Sequence, residues 1–401
     1  MHVLDRPGIA RRTAISRAAR PLTALGGAAV ILAGAAAFAL PAAAEPHQVA
    51  PTYNVRSILS GQSLHHSYTK AGSKTRRSET LTQPSRLAML GGHLFAAFGN
   101  GVGTQGQASS DGNRDSTIVE FTTTGKLVRQ WDIQGRSSGL AANGRTGLLV
   151  ATVNPAGHSS LYTLRPATGV VVHYAYAKPL PHHGGTSAVS FAGGQILVAA
   201  SDPGTTGRAA PEAGYPAAYA VTLNQAKRQA AASALFAEKA KATAANGQHY
   251  LHTVTLGLTG PAASGVVPSF ESRFAGDFLL SSPANKQQVY VSSPGTKRQH
   301  LSVLNLSQAV GDTAWSTSWK GAFYATNPAD DTVDVINGSF WPGTAFVAVT
   351  PCGANNAPAT CPGPRFPANY VGHLNLFNGQ ISRVSLRGAT LHPQGMIFVA
   401  S

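Results

Sequence analysis

Hydrophobic and polar positions along this chain recur with the spacing of short strands. A turn is followed by four to six apolar or β-branched residues that end in small ones. The pattern appears at Gly92–Phe98, Thr146–Thr152, Gly194–Ala200, Gln287–Ser293, Lys320–Thr326 and Gln394–Ala400. Several copies run into tight exits at Asn154-Pro155, Asp202-Pro203, Ser293-Pro294 and Asn327-Pro328. Proline fixes φ, and Asn, Asp or Ser before it favours turn initiation. An alternating strand follows, as at Ser116–Phe121, Ser160–Leu164, Leu301–Leu306 and Asp331–Ile336. Thr124-Gly125 and Thr168-Gly169 then mark hairpins into a further strand.

Three cues in constant order, with about four strands per unit, predict an all-β fold of the β-propeller type. A single blade cannot bury both of its faces, and packing blades around an axis solves this. Six copies predict six blades, and the gaps at 200–287 and 326–394 leave room for a seventh. The last copy ends at the chain's last residue, Ser401, without outer strands after it. Strand-like pieces at 53–60 and 64–68 lack a matching inner strand. Circular closure is therefore predicted, with the N-terminal segment supplying outer strands of the last blade. The Ala-rich stretch at 225–245 reads as an exposed helix inserted in a blade.

The first 44 residues depart from this rhythm. Arg6, Arg11, Arg12, Arg17 and Arg20 precede 24 uncharged residues ending in Pro41-Ala42-Ala43-Ala44. A basic start, an apolar middle and a small-residue exit read as a signal peptide. Arg11-Arg12 before a mildly hydrophobic stretch leaves a twin-arginine route open beside general secretion. An uncleaved anchor is the rival reading, since 24 residues can span a bilayer about 30 Å thick. Residues 45–401 then form one extracytoplasmic propeller domain.

Composition narrows the picture. With 43% hydrophobic and 12% charged residues, the chain is not of the disordered class. Its 43 Gly and 25 Pro punctuate every segment, which excludes coiled coils and helical bundles. The formal net charge of +15 falls to +11 once the leader is set aside. The remaining basic residues are scattered and not interleaved with aromatics, so a nucleic-acid partner is not expected. Cys352 and Cys361, the chain's two cysteines, are expected to form one disulfide that clips a Gly/Asn/Pro loop.

Gly101, Gly103 and Gly106 spell GxGxxG after a strand, but no helical stripe follows to hold a pyrophosphate. The segment reads as a glycine-rich loop on a propeller face. Asp111, Asn113 and Asp115 have the D-x-N-x-D spacing that opens calcium loops, without the glycine and glutamate those loops require. His182 and His183 lie in a Pro/Gly loop, and His392 in an analogous loop near the end of the chain. Loop histidines of this kind can act as a base or bind a metal near neutral pH.

The segment Gly321–Ile336 and the closing His392-Pro-Gln-Gly-Met-Ile-Phe-Val399 resemble the NHL/SMP-30-like group of propellers. That group includes gluconolactonase-type hydrolases, streptogramin lyases and secreted bacterial proteins of unknown role. The resemblance implies a divalent cation, calcium or magnesium, held by carboxylates and asparagine at the mouth of the axis. Asn327 and Asp330, in the densest acidic cluster of the chain, are the residues it points to. A lyase-like member would need a histidine base beside the metal, which brings in His182, His183 and His392. Fold does not fix function. The expected role is therefore binding of a small molecule, glycan or envelope protein by a monomeric disc through its loop face. The alternative is a metal-dependent lactonase- or lyase-like enzyme at the axis. Contact with a membrane is expected only through an uncleaved leader.

Overall fold

The computed structural model describes residues 52–181, 184–201, 214–350 and 369–401. The leader predicted at 1–44, His182, His183, Cys352 and Cys361 lie outside the described residues. Among the described residues there are strands and short 3-10 turns but no α-helix, and no helix long and apolar enough to cross a membrane.

Strand β1 (Thr52–Ser60) and the hairpin β2 (His65–Thr69) and β3 (Arg76–Thr80) come first. The first blade is β4 (Pro84–Leu90), β5 (His93–Phe98), β6 (Asp115–Phe121) and β7 (Leu127–Gln134). The second is β8 (Ser137–Asn143), β9 (Leu148–Val153), β10 (Ser160–Arg165) and β11 (Val170–Tyr176). The third is β12 (Gly185–Ala192), β13 (Gln195–Ser201), β14 (Pro216–Asn224) and β15 (Gln229–Ala237). Strands β16 (Lys241–Ala244) and β17 (Thr253–Thr255) extend the outer edge of the fourth blade. That blade is β18 (Ala263–Val266), β19 (Phe278–Ser282), β20 (Gln287–Ser292) and β21 (His300–Asn305).

The last two blades are interlaced. Strand β22 (Val310–Trp315) opens the fifth, then β23 (Gly321–Asn327) and β24 (Thr332–Asn337) cross into the sixth. The chain returns to the fifth for β25 (Ala345–Val349), β26 (Tyr370–Leu374) and β27 (Ile381–Arg383). It ends in the sixth with β28 (Ser385–Gly388) and β29 (Met396–Ala400). From the axis outward the sixth blade reads β29, β23, β24, β1, β28.

Strands β4, β8, β12, β18, β22 and β29 neighbour one another in that order, and β29 closes onto β4. Among the described residues the ring has six blades. One hydrophobic cluster fills each of the six junctions between consecutive blades. Strand β5 explains the uninterrupted apolar runs. Leu94, Ala96 and Phe98 face the sixth blade, whereas Phe95 and Ala97 face the second. Alternation sends successive side chains to opposite faces, and here both faces are buried.

The axis selects small residues. A Cβ on Gly139 of β8 would lie 2.4 Å from Thr152 Oγ1 and 2.5 Å from the Ser187 carbonyl. Arg86 of β4 ties three blades together at this level. Its guanidinium donates to the carbonyls of Ser138 (3.2 Å), Ala262 (2.8 Å) and Gln394 (3.5 Å).

Three expectations change. The stretch at 225–245 is not a helix: β15 pairs with β14 from Pro216–Ala237 to Asn224–Gln229, because a partner edge and a buried face outweigh alanine's helix preference. The repeated segments, although alike in pattern, do not hold one place in a blade. Gln287–Ser292 is the third strand of its blade, and Met396–Ala400 is innermost, paired directly with Gly321–Asn327. Closure is present, but the N-terminal segment gives the last blade one strand, β1, which pairs with β24. The second piece, β2, folds with β3 into a hairpin beside the first blade.

Deleting residues 53–82 would strip Tyr53, Val55, Leu59, Leu64 and Leu81 from two of the clusters. Each such side chain contributes about 1.5–3 kcal/mol, together of the order of a domain's whole stability, roughly 5–15 kcal/mol. The deletion is expected to abolish the cooperative transition in a thermal melt followed by circular dichroism. A retained sharp melt would contradict closure through β1.

Candidate functional site

The turns leaving the second and fourth strands of a blade share one face of the ring. Between the first three blades that face holds a cavity of about 680 Å³. Its floor is Asn154, in the left-handed region with φ 59°. The Asn154 side chain accepts from the Arg136 amide (2.8 Å) and donates to the His158 carbonyl (3.2 Å). Gly135 (φ 104°) and Gly106 (φ 82°) make room for it, since a Cβ would come within 2.6 and 3.0 Å of its amide. The glycine-rich loop is thus a wall of this cavity, and no helix follows it.

One side of the cavity is aromatic. Tyr162 of β10 and His173 of β11 are cross-strand partners with ring centroids 4.7 Å apart and planes at 35°. The residue His173 is exposed, but its ring is partly screened from water, which pushes its pKa below the ordinary imidazole value. Burial likewise pushes the Tyr162 hydroxyl up. Gln134 and Lys178 reach the same space from β7 and from the turn after β11.

The expected metal ligands fall into two clusters, neither at this cavity. Asp111 is exposed, and its carbonyl accepts from the Tyr68 hydroxyl (3.4 Å). Asn113 is fully buried, donates to Glu79 (2.7 Å) and the Asp115 carbonyl (2.9 Å), and accepts from the Asp115 amide (2.7 Å). Burial pushes the Asp115 carboxyl up, with nearby Asp132 adding to the rise and His66 opposing it. At the centre is His66, whose side chain is fully buried. Its Nε2 lies 3.0 Å from Glu79 Oε1 and its Nδ1 lies 3.2 Å from Asp132 Oδ1. The two carboxylates take opposite ring nitrogens, so they do not converge on a shared cation. The cluster clasps the β2–β3 hairpin onto the first blade.

In the second cluster Asn327 donates to Asp330 (2.9 Å), Asp334 (3.1 Å) and the Thr390 carbonyl (3.0 Å). Its carbonyl oxygen accepts the His392 amide at 3.4 Å. Asp334 also accepts from Ser57 (2.6 Å) and Thr332 (2.9 Å). Asn327, Asp330 and His392 are thus brought together, His392 through its backbone. The His392 ring instead meets the Asn369 carbonyl, Nδ1 to O 3.3 Å. Asp334 is filled by N–H and O–H donors, Asp330 accepts on one oxygen, and Asn327 turns its N–H groups rather than its carbonyl oxygen toward both, an arrangement unlike the convergent oxygens of a calcium or magnesium site. Among the described residues no three of His, Cys, Asp and Glu are arranged to hold a metal.

Sequence reading missed His66, Glu79, Tyr162 and His173. Strict alternation in His65–Thr69 does place His66 on an inward face, which was the available signal. It also missed Arg86 and Asp312, single charges inside otherwise uncharged inner strands.

No family model matches this chain, and no curated protein matches it. Among solved structures, a streptogramin B lyase is 10% identical over 83% of this chain and 91% of its own, with a TM-score of 0.38. The periplasmic gluconolactonase of Pseudomonas aeruginosa is 15% identical over 87% and 99%, with a TM-score of 0.40. A protein of unknown function from Bacteroides thetaiotaomicron is 10% identical over 85% and 65%, with a TM-score of 0.43. Likeness of this grade says nothing of activity, and the propeller rests on the sheets and ring described above.

Burial alone would lower the His66 pKa, but Asp132 and Glu79 outweigh it and raise the pKa overall. The stability this contributes is complete below the ordinary value of about 6.5 and is lost as pH rises through the raised folded-state value. His66→Gln is expected to cost roughly 1–3 kcal/mol at pH 5.5. Denaturant melts should show the gap from wild type narrowing as pH rises. A gap that stays constant or widens would overturn the charged-clasp reading.

Proposed function

We propose that this chain is an extracytoplasmic binding protein whose loop-face cavity takes a hydroxyl-rich small molecule, a mono- or disaccharide unit of a glycan. The Tyr162–His173 ring pair carries the proposal. Sugars present apolar ring faces that stack on aromatics and hydroxyl edges that need amides. Gln134 and Lys178 supply polar groups beside the stacked rings. The volume of about 680 Å³ lies within the span usual for ligand sites, roughly 300–1,000 Å³. The leader, read as an export signal, would bring the protein to where such glycans are found. The metal-dependent lactonase- or lyase-like alternative has no donor set among the described residues to support it.

A glycan array followed by titration calorimetry tests this reading. Tyr162→Ala is expected to weaken the best array ligand roughly 3- to 10-fold, the scale of one lost aromatic contact. Because the His173 pKa is lowered, affinity should be flat above about pH 6.5 and change only as the ring protonates at lower pH. An array without a ligand, or a ligand indifferent to Tyr162→Ala, would sink the proposal.

A further inference from the structure

The inner strands enclose a second space. An axial funnel of about 370 Å³ is lined by all six of them, between the level of Arg86 and the ends of β18 and β22. Those ends lie on the face opposite the loop-face cavity. The walls are mixed, with Phe191, Ile397 and Phe398 on the apolar side and Ser190, Ser264 and Thr317 on the polar side. At the inner end stand two opposite charges, Arg86 and Asp312.

Neither charge is neutralised by direct contact with the other. Arg86 spends three N–H groups on carbonyls of three blades, and a guanidinium has five. Asp312 accepts the amides of Thr313 (2.9 Å) and Met396 (2.8 Å), one on each carboxyl oxygen, and each oxygen can accept again. Burial pushes the Asp312 carboxyl up while the field of Arg86 pulls it down, so the two sense each other across the funnel. No ion pair joins them within 4 Å.

We propose that this funnel binds a small molecule bearing one anionic and one cationic group on an apolar body, the chemistry of an apolar amino acid. Its anionic group would take the remaining Arg86 N–H groups, and its cationic group would donate to Asp312. A purely anionic ligand would be repelled by Asp312, and a purely cationic one by Arg86. A neutral apolar ligand would leave both charges desolvated and unpaired, which is costly. The head group must therefore satisfy both, while the apolar side of the funnel, Phe191, Ile397 and Phe398, receives the body. Thr317 and Pro268 stand at the funnel's outer end, and Trp319 and Trp341 lie on the adjoining turns. Those two rings are exposed, with centroids 4.1 Å apart.

Titration calorimetry on the full chain with three probes tests this. L-phenylalanine carries both charges, 3-phenylpropanoate only the anion, and 2-phenylethylamine only the cation. L-phenylalanine is expected to bind at least about ten-fold tighter than either analogue, since each leaves one buried charge without its partner. Asp312→Asn should bring L-phenylalanine down to the affinity of 3-phenylpropanoate. Because Arg86 holds three blades, Arg86 variants can fail to fold. Gly265→Phe, at a funnel-lining position where an added Cβ meets only the Trp315 ring at 3.8 Å, fills the funnel from its wall instead and should abolish binding with the melting temperature largely kept. Equal affinity for the three probes, no binding of any, or binding that survives Gly265→Phe would overturn the proposal. The loop-face cavity is independent, so loss of either site leaves the other standing.

Discussion

Every blade of this protein is a thin sheet that must bury both faces, and that requirement governs the rest. A sheet with one neighbour leaves a full apolar face in water, at about 25 cal/mol for each Å² exposed. Only a closed ring gives each blade two neighbours. The six hydrophobic clusters, one per junction, are that requirement made visible. Closing the ring is therefore as important as building any blade. The chain closes it by placing β1 and β29, from its two ends, in one sheet around β23 and β24. The fifth and sixth blades go further, because each borrows strands from separated stretches and neither is a continuous segment. The aromatic group of Tyr53, Phe323, Phe340 and Phe346 sits at that junction, with Phe323 and Phe346 centroids 4.2 Å apart.

Closure also explains where the polar residues went. Inner strands approach closely at the level of Gly139, where a single long side chain, Arg86, reaches three blades at once. Outer connections have to be pinned where the ring is widest. His66 with its two carboxylates pins the hairpin, and Asn327 with Asp330 and Asp334 pins the junction of β1, β24 and the turn before β29. Residues that resemble metal ligands in a linear sequence thus serve as hydrogen-bonded clasps. Asp334 is occupied by N–H and O–H donors, and Asn113 and Asn327 turn N–H groups toward the carboxylates, which differs from the convergent bare oxygens a hard cation requires.

Such a ring offers stiff platforms on two faces. Side chains from rigid strands hold geometry better than side chains from free loops. Tyr162 and His173 stand on neighbouring strands in fixed register, and Arg86 and Asp312 are held by backbone groups. Both spaces owe their shape to the scaffold rather than to a mobile segment. They differ in chemistry: one is broad and aromatic beside amides, the other narrow, with two opposite charges at its end.

Local chemistry determined much of the fold. Runs such as His93–Phe98 and Gly321–Asn327 announce strands buried on two sides, and Thr124-Gly125 and Thr168-Gly169 announce the hairpins, because apolar runs and turn residues act within a few positions of themselves. Strand order lay beyond that reach. That Gln287–Ser292 is a third strand, that Met396–Ala400 is innermost, and that Gln229–Ala237 prefers a sheet edge to a helix depend on partners far away in sequence. The site residues show the same division. His66 and Asp132 are 66 positions apart, Arg86 and Asp312 are 226 apart, and only ring closure brings each pair together. Sequence by itself determined that this chain is a closed ring of sheets, whereas which charges come near one another inside it was decided by the tertiary structure, because charges interact through space and not along the chain.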